Sequence, residues 1–407
     1  MSLALINRPD QGVSLASEMD GYWPRRTTRV DELTRQVDRL MDGLKVAVVF
    51  GGNKTDAGAV IHPTVNPRPW KSYEAVAEDI AAALRRIGFR DVTTMPDDMH
   101  LGERLRRSGT HFVWLNTGGV QGVGAVGHAA AMLEMFGIPY IGHNPLSAGT
   151  LDHKHLFKRD LAVLGVPTAP FMVWHLGRGA FTPFDNPRFY ATFGEYEGPF
   201  VVKPVSGRAS HHVLVVDTIA ELADAVGEVY GATENHVLIE RYLAGREFCV
   251  AVCGPVVVRG GRLERLDNPF SFAAVERKLD KDERIFTSMD TRAITVDRVN
   301  LVEGHDDQAV AAELKAMASR VYLELDLETL VRLDVRADED GKLHVLEANP
   351  KPDLAAPKAD KTSIVCAGLG AEGMSYDDLV LSLFADRIDH LFSQRRGAVS
   401  SMTGLLG

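Results

Sequence analysis

Residues 331–350, VRLDVRADEDGKLHVLEANP, decide the reading of this chain. Apolar residues alternate with polar ones on both sides of Asp338-Glu339-Asp340-Gly341, a segment with the residue chemistry of a hairpin turn. The two arms are therefore predicted to pair as antiparallel strands. On the return arm Glu347 and Asn349 share a face and Ala348 points away, because side chains alternate along a strand. Asp334, just beyond Arg332 on the outgoing arm, reaches the same spot from the neighbouring strand. Two carboxylates and an amide on a rigid support are the oxygen donors that a hard divalent cation such as Mg²⁺ takes, leaving positions for water and phosphate oxygens. A solvated hairpin face carrying acids fits the same residues, so the rest of the chain has to decide.

The 407 residues are 45% apolar and 25% charged, a globular composition whose length suits two or three domains with clefts between them. A net charge of -10, from 55 acids against 45 bases, argues against a phosphate-backbone footprint, so no nucleic-acid partner is expected. The amino-terminal residues lack a secretory pattern and no apolar run reaches bilayer length, so no membrane partner and a cytoplasmic location are expected. Cys249, Cys253 and Cys366 cannot pair evenly and have no metal-ligand spacing, which predicts buried free thiols.

Residues 1–44 read as an extension with a charged helical stretch from Val30 to Met41. At Lys45 the run KVAVVFGG has the continuous apolar character of a strand buried on both faces of a parallel sheet. A helix from Tyr73 to Ile87, a second strand from Thr110 to Asn116, a helix from Gly127 to Phe136 and a third strand at Ile138–Gly142 make residues 45–150 an open α/β domain. Residues 151–240 form a central subdomain: a helix from Asp152 to Leu164, strands at Phe171–Trp174, Phe200–Lys203, His212–Val216 and Val237–Glu240, and a helix from Ile219 to Tyr230. Gly177 to Gly198 within it shows no clear period. Residues 241–407 hold the strand Phe248–Val252, a polar stretch from Ser271 to Arg284, a helix near Gln308–Leu323, the hairpin and a terminal helix from about Tyr376.

Lys203 ends an apolar strand and precedes Pro204, Ser206, Gly207, Ala209 and Ser210, small residues that let backbone N–H groups approach an anion. That is a phosphate clamp or, on the plainer reading, a strand-end lysine reaching solvent. The strand at Glu240, followed by Arg241-Tyr242-Leu243, can offer backbone groups to an adenine edge, with Glu247 placed for ribose hydroxyls; a strand-end ion pair of Glu240 with Arg246 is the alternative. Gly122-Val123-Gly124-Ala125-Val126-Gly127 fits GxGxxG, but it is not in the first βα turn and the next strand ends without the acid that would hold a ribose. His211-His212 and His153/His155 lack the cysteine or carboxylate that would complete a transition-metal set.

Read in order, DHKHLFKRDLAVLGVPTAPF, FVVKP, VLIERYLAGREFCVAV, the hairpin segment and EGMSYDDLV resemble the ATP-grasp enzymes, and among them the D-alanine:D-alanine ligases, from about Lys45 to the carboxyl terminus. The resemblance implies a three-domain fold, α/β and α+β, with ATP between the central and C-terminal subdomains. It implies that Lys154, Lys203 and Ser210 meet the ATP phosphates, that Arg241 and Leu243 offer backbone to adenine beside Glu240, and that Glu247 holds the ribose. Asp334, Glu347 and Asn349 would bind two Mg²⁺ ions, with Mn²⁺ as the alternative. Arg332 would lie against the transferred phosphoryl group, Ser363 would hold the second substrate's carboxylate, and Lys278, with Lys281 as the alternative, would come from a lid.

The activity so implied is ATP-dependent amide formation between a carboxylate and an amine, amino acids or their derivatives, through an acyl phosphate. A phosphotransferase or carboxylating enzyme on the same scaffold and a non-catalytic nucleotide-binding regulator are the alternatives, and family precedent suggests a homodimer. The chain departs from the D-alanine:D-alanine ligase pattern around the substrates. The acid expected soon after Gly51-Gly52 is missing, and Leu115-Asn116-Thr117 stands where LHG is usual. His212 stands where a glycine is usual, and the segment from Asn349 to Ser363 is longer and carries Lys351, Lys358 and Lys361. These changes imply substrates other than two D-alanines.

Overall fold

The computed structural model describes residues 29–53, 72–207, 210–280, 283–285, 298–358, 363–394, 402 and 404–405. Lys281 and Lys361 lie outside them. Helix α1 (Val30–Gly43) precedes β1 (Lys45–Phe50), α2 (Glu74–Ile87), β2 (Asp91–Pro96), α3 (Leu101–Ser108), β3 (Phe112–Asn116), α4 (His128–Phe136) and β4 (Tyr140–Ile141). The four strands form a parallel sheet in the order β2-β1-β3-β4. Sequence reading passes from β1 directly to β3. It misses β2 because this edge strand, DVTTMP, buries only Val92 and Met95 and lacks an apolar run. Nor is α1 an appendage: Leu33, Val37 and Leu40 are buried in the same core as Val46, Val48 and Leu84.

Two helices follow, α5 (Pro145–Asp152) and α6 (Lys154–Val163), where one is predicted. The break is at His153, whose extended backbone and ring Nδ1, accepting from Leu156 N at 3.4 Å, cap the second helix. Next come β5 (Phe171–Trp174), α7 (Pro187–Phe193), β6 (Phe200–Pro204), β7 (Leu214–Val216), α8 (Leu222–Thr233) and β8 (Val237–Arg241). They build an antiparallel sheet in the order β5-β8-β6-β7. The aperiodic insertion contains α7, capped by Asn186 and pinned by its Phe189 and Phe193 against Phe200.

The third sheet gathers β9 (Glu247–Cys253), β12 (Phe270–Ser271), β13 (Val275–Arg277), β14 (Val299–Leu301), β15 (Val331–Ala337) and β16 (Leu343–Asn349). Its order is β14-β13-β9-β15-β16, with β12 also on β9. Between β9 and β12 a separate hairpin, β10 (Val256–Arg259) and β11 (Arg262–Arg265), leaves the sheet. The segment read as merely polar from Ser271 therefore supplies strand β13. Helix α9 (Gln308–Glu324) covers the sheet, and α10 (Ile364–Ala367) and α11 (Tyr376–Gln394) close the described chain.

Helix α11 crosses back to the first sheet. Phe384 meets Phe89 and Phe112 edge-on, at 4.7 and 5.3 Å between ring centroids. Burying each of the large apolar side chains on this helix contributes about 1.5–3 kcal/mol, so the two ends of the chain hold one core together. Buried Arg387 adds a polar clamp, donating to the Tyr140 carbonyl at 2.7 Å and to Glu328 at 2.8 Å. All three cysteines are free and buried, as the sequence implies. Among the described residues no helix is long and apolar enough to cross a membrane.

Candidate active site

The ribbon β15–β16 pairs in the register its alternation predicts. Arg332 lies opposite Asn349 and Asp334 opposite Glu347, so all four side chains stand on one face. The turn is fixed by Asp338, whose carboxylate accepts from Asp340 N and Lys342 N, and by Gly341 at φ 83°. One irregularity sits beside the acids: Asp334 pairs with Glu347 but Val335 with Val345, leaving Leu346 as the extra residue of a bulge. Both Leu346 and Glu347 consequently line the same cleft, which strict alternation would prevent.

Asp334 is buried among cations. Arg332 donates through Nε and Nη2 at 2.8 and 3.1 Å, Arg277 Nη1 lies at 3.2 Å, and the Cys249 thiol donates at 3.3 Å. Burial alone would raise its carboxyl; Arg277 and Arg332 overcome that and hold it at about 2. A depressed carboxylate of this kind stabilises the fold at pH above its usual 3.8, and the contribution is lost as pH falls through about 2. Glu347 is more open and meets Lys154 Nζ at 3.3 Å. The Asn349 amide donates to the Lys351 carbonyl at 3.1 Å and turns its oxygen to Arg332 Nη2 at 3.3 Å.

Across the cleft, the second sheet presents Lys203 from β6 and Glu240 from β8, in direct ion contact, with Lys158 of α6 on the other Glu240 oxygen at 3.1 Å. The register explains the pair: Val201 lies opposite Glu240, so Lys203 is on the same face of the neighbouring strand. Glu240 thus pairs with these lysines, while Arg246 bonds Glu276 and Asp307. Burial disfavours both partners' charges, but the two lysines keep Glu240 ionised, its pKa lowered, and Glu240 keeps Lys203 charged, its pKa raised. Fully buried Lys158 is shifted down by burial, which Glu240 only partly offsets. Lys154, at the start of α6, donates to the Gly207 carbonyl at 3.1 Å and so ties that helix to the loop after β6.

The strand-to-linker passage after β8 runs along the third wall. Arg241 N donates to the Pro170 carbonyl, so what Arg241 retains for a base is its carbonyl. Leu243 lies between Tyr242 N on the Pro199 carbonyl and Gly245 N on the Ala337 carbonyl, and its own N–H has no partner among the described residues. Glu247 is flanked across the register by Arg277 of β13 and Arg336 of β15, making direct contact with the first and lying 3.4 Å from the second.

Lys154, Lys203, Ser210, Glu240, Arg241, Leu243, Glu247, Asp334 and Glu347 all line this one cleft between the second and third sheets, and Arg332 and Asn349 adjoin it through the ribbon. Two candidates are not brought in. Lys278 follows Arg277, and the alternation that turns Arg277 inward leaves Lys278 exposed. Ser363 is fully buried and caps α10, accepting from Cys366 N at 3.2 Å. Three cleft-associated groups escaped sequence reading: Lys158, Arg277 and Arg336. Lys158 falls one helical turn after Lys154 on the same face, a signal that could have found it.

Ser210 and His212 both hold left-handed backbone, at φ 51° and 55°. This is the region where a glycine costs nothing and a side chain is strained. His212→Gly is therefore expected to leave the fold intact and change stability by no more than about 1 kcal/mol, relief of the strained φ opposing the greater freedom of the unfolded glycine. Chemical denaturation measures it. A loss well above that size would mean that the imidazole holds the loop.

The residues from 161 to 385, more than half of the chain, match the family described as D-ala D-ala ligase C-terminus, and the chain belongs to this D-alanine–D-alanine ligase-like family of ATP-grasp ligases. All the candidate residues except Lys154 lie within the match. Among individual proteins, it is 28% identical to the uncharacterized protein y4sG of Sinorhizobium fredii (strain NBRC 101917 / NGR234), over 77% of this chain and 87% of that protein. It is 26% identical to the D-alanine–D-alanine ligase of Synechococcus sp. (strain JA-3-3Ab), over 75% and 86%. The fold matches the Bacillus anthracis D-alanine–D-alanine ligase complexed with ATP, with a TM-score of 0.59 at 20% identity over 85% of this chain and 98% of that one. It matches the VanG D-Ala:D-Ser ligase of Enterococcus faecalis equally, with a TM-score of 0.59 at 16% identity over 84% and 99%. ATP binding belongs to this family, and Mg²⁺ binding is typical of it.

Proposed function

We propose that the protein activates a carboxylic acid with ATP and joins it to an amine, releasing ADP and phosphate, with substrates other than two D-alanines. The observation that carries this reading is the facing of the Asp334–Glu347 ribbon by Lys203 and Lys154 across one cleft. The division into an α/β substrate domain from about residue 45 and ATP-binding subdomains from about 151 and 241 follows the three sheets.

The donor set suits magnesium. Among the described residues no three His, Cys, Asp or Glu side chains cluster as metal ligands, but two opposed carboxylates and the Asn349 amide oxygen make the all-oxygen set a hard cation prefers. Arginines and Lys154 now neutralise those acids, which is the balance a divalent cation would take over. When bound, Mg²⁺ supplies charge neutralisation at the transferring phosphate.

The remaining work falls to the chain's own groups. Lys203, kept charged by Glu240, and Lys154 bind phosphate oxygens beside the loop after β6. Leu243 N–H and the Arg241 carbonyl meet the adenine edge, against the apolar Leu346, and Glu247 lies on the ribose side. The acid's oxygen attacks the terminal phosphorus and ADP departs; the amine then attacks the acyl carbon, loses a proton, and phosphate departs. Arg332, two residues from Asp334, stabilises the charge on both the phosphoryl group and the acyl oxygen. Enclosure in the cleft limits hydrolysis of the acyl phosphate.

An ADP-release screen with amino acids and related acids, singly and in pairs, with mass spectrometry of the products, tests the proposal. ADP formation is expected only when an acid and an amine are both present, together with an amide product. ADP from one substrate alone, with no amide in any pair, would instead favour phosphate transfer.

A further inference from the structure

The nucleotide cleft contains a buried guanidinium that neither phosphate binding nor metal binding uses. Arg336, on β15, is 3% exposed, and all three of its side-chain nitrogens are engaged. Nε donates to the Gly245 carbonyl at 3.3 Å, Nη2 donates to the Tyr242 hydroxyl at 3.0 Å and to the Arg284 carbonyl at 2.9 Å, and Nη1 lies 3.4 Å from Glu247 Oε2. A buried charge is costly unless it is paired and hydrogen-bonded, and here the partners come from three separate segments: the linker after β8, strand β9 and the stretch after β13.

Each of these segments borders the cleft, through Leu243, Glu247 and Ile285 respectively. Tyr242 and Gly245 bracket Leu243, whose N–H has no partner among the described residues. The linker is seated hard on β15: Gly245 N donates to the Ala337 carbonyl at 3.0 Å, and a Cβ on Gly245 would come within 2.7 Å of the Ala337 and Asp338 carbonyl oxygens. The Tyr242 hydroxyl donates onward to the Arg284 carbonyl at 2.9 Å, and the guanidinium groups of Arg336 and Arg284 lie 4.8 and 5.1 Å from the centroid of its ring. Arg284 in turn bonds Asp217, just beyond β7, at 2.7 Å. Glu247 is held on both oxygens, Oε1 by Arg277 and Oε2 by Arg336. A carboxylate has about four acceptor positions, so this pairing fixes the plane of the group and leaves acceptors for the hydroxyls of a ribose.

Resting on the nucleotide assignment in the ligase reading above, we propose that Arg336 is a positioning residue for the nucleoside half of ATP. Its planar fork aligns the linker with the base edge and the Glu247 carboxylate with the ribose hydroxyls, and it anchors the segment that brings Ile285 to the cleft. The phosphates fall to Lys154 and Lys203 instead, so the nucleoside and triphosphate contributions are separable.

Equilibrium binding makes that separation. With Mg²⁺ present and neither acid nor amine added, calorimetric titration compares ATP, 2′-deoxy-ATP, 3′-deoxy-ATP and inorganic tripolyphosphate. The natural protein is expected to bind ATP tighter than at least one of the deoxynucleotides. In Arg336→Met, ATP should weaken roughly ten- to hundredfold, the effect of losing hydrogen bonds to a charged group, while the ribose preference shrinks to within about twofold and tripolyphosphate changes by no more than about twofold. Arg336→Lys, which keeps the charge without the fork, should recover part of the affinity. Tyr242→Phe removes only the shared hydroxyl and should weaken ATP about three- to tenfold with tripolyphosphate unchanged, which keeps the test open where Arg336→Met does not fold. The absence of a ribose preference in the natural protein, ATP affinity unchanged in both variants, or a loss shared equally by ATP and tripolyphosphate overturns the inference. Because no acid or amine takes part, the expected binding pattern stands even where no amide forms, and the amide screen alone decides the ligase reading.

Discussion

In Glu347→Gln, turnover is expected to fall roughly a hundred- to thousandfold, the usual loss when one fixed electrostatic group is removed from a transition state, with little change in thermal midpoint. The asymmetry follows from exposure: the Glu347 side chain is 32% exposed and has one lysine partner. Its loss leaves Lys154 with the Gly207 carbonyl and access to water. Asp334→Asn is expected to match the kinetic loss and to add an unfolding penalty of about 3–5 kcal/mol, because buried Arg332 then lacks its counter-charge and Arg277 keeps Glu247. ADP-release kinetics beside thermal melts distinguish the two effects. Activity retained in Glu347→Gln would remove the ribbon acid from the chemistry, and an unchanged melt in Asp334→Asn would contradict the buried-charge account.

The second large effect is expected from Glu240→Gln. Among the described residues this carboxylate alone stands between Lys158, with no exposed surface, and Lys203, with 7% of its side chain exposed. Stranding both should cost about 3–5 kcal/mol, with nucleotide affinity falling as Lys203 loses the partner that keeps it charged and in place. Combining Glu240→Gln with Lys158→Met removes one stranded ammonium and should recover part of the stability, a coupling that a double-mutant cycle measures directly. Denaturation midpoints and nucleotide titrations supply both readouts. A single-variant loss below about 1 kcal/mol would show that water, not Glu240, solvates these lysines.

The ribbon was readable because its two requirements, alternation and turn chemistry, are local. Asp334, Glu347 and Asn349 fall on one face by strand geometry alone, and the observed register agrees. Lys203 and Glu247 were likewise visible as strand-end residues. What escaped depends on contacts between distant segments. Arg277 and Arg336 come to Glu247 only through strand pairing across the sheet, and nothing near Lys158 in the chain reveals that it lies beneath Glu240. Lys278 was chosen on a resemblance, with Lys281 as the alternative, while the pleat turns the neighbouring Arg277 inward. Edge strand β2 was lost because half-burial dilutes the apolar signal. The extra residue at Leu346 is invisible without coordinates, although it decides which side chains face the nucleotide cleft.

The contact of α11 with the first sheet carries a consequence for biogenesis. Phe112 belongs to a strand made early, yet the ring that covers it, Phe384, is made near the end of the chain. At ordinary synthesis rates the intervening segment takes roughly 15–50 s to emerge. During that interval the nascent α/β layer presents a greasy flank to solvent, so its maturation is tied to translation of α11 and a ribosome-stalled fragment would be a natural client for holding chaperones.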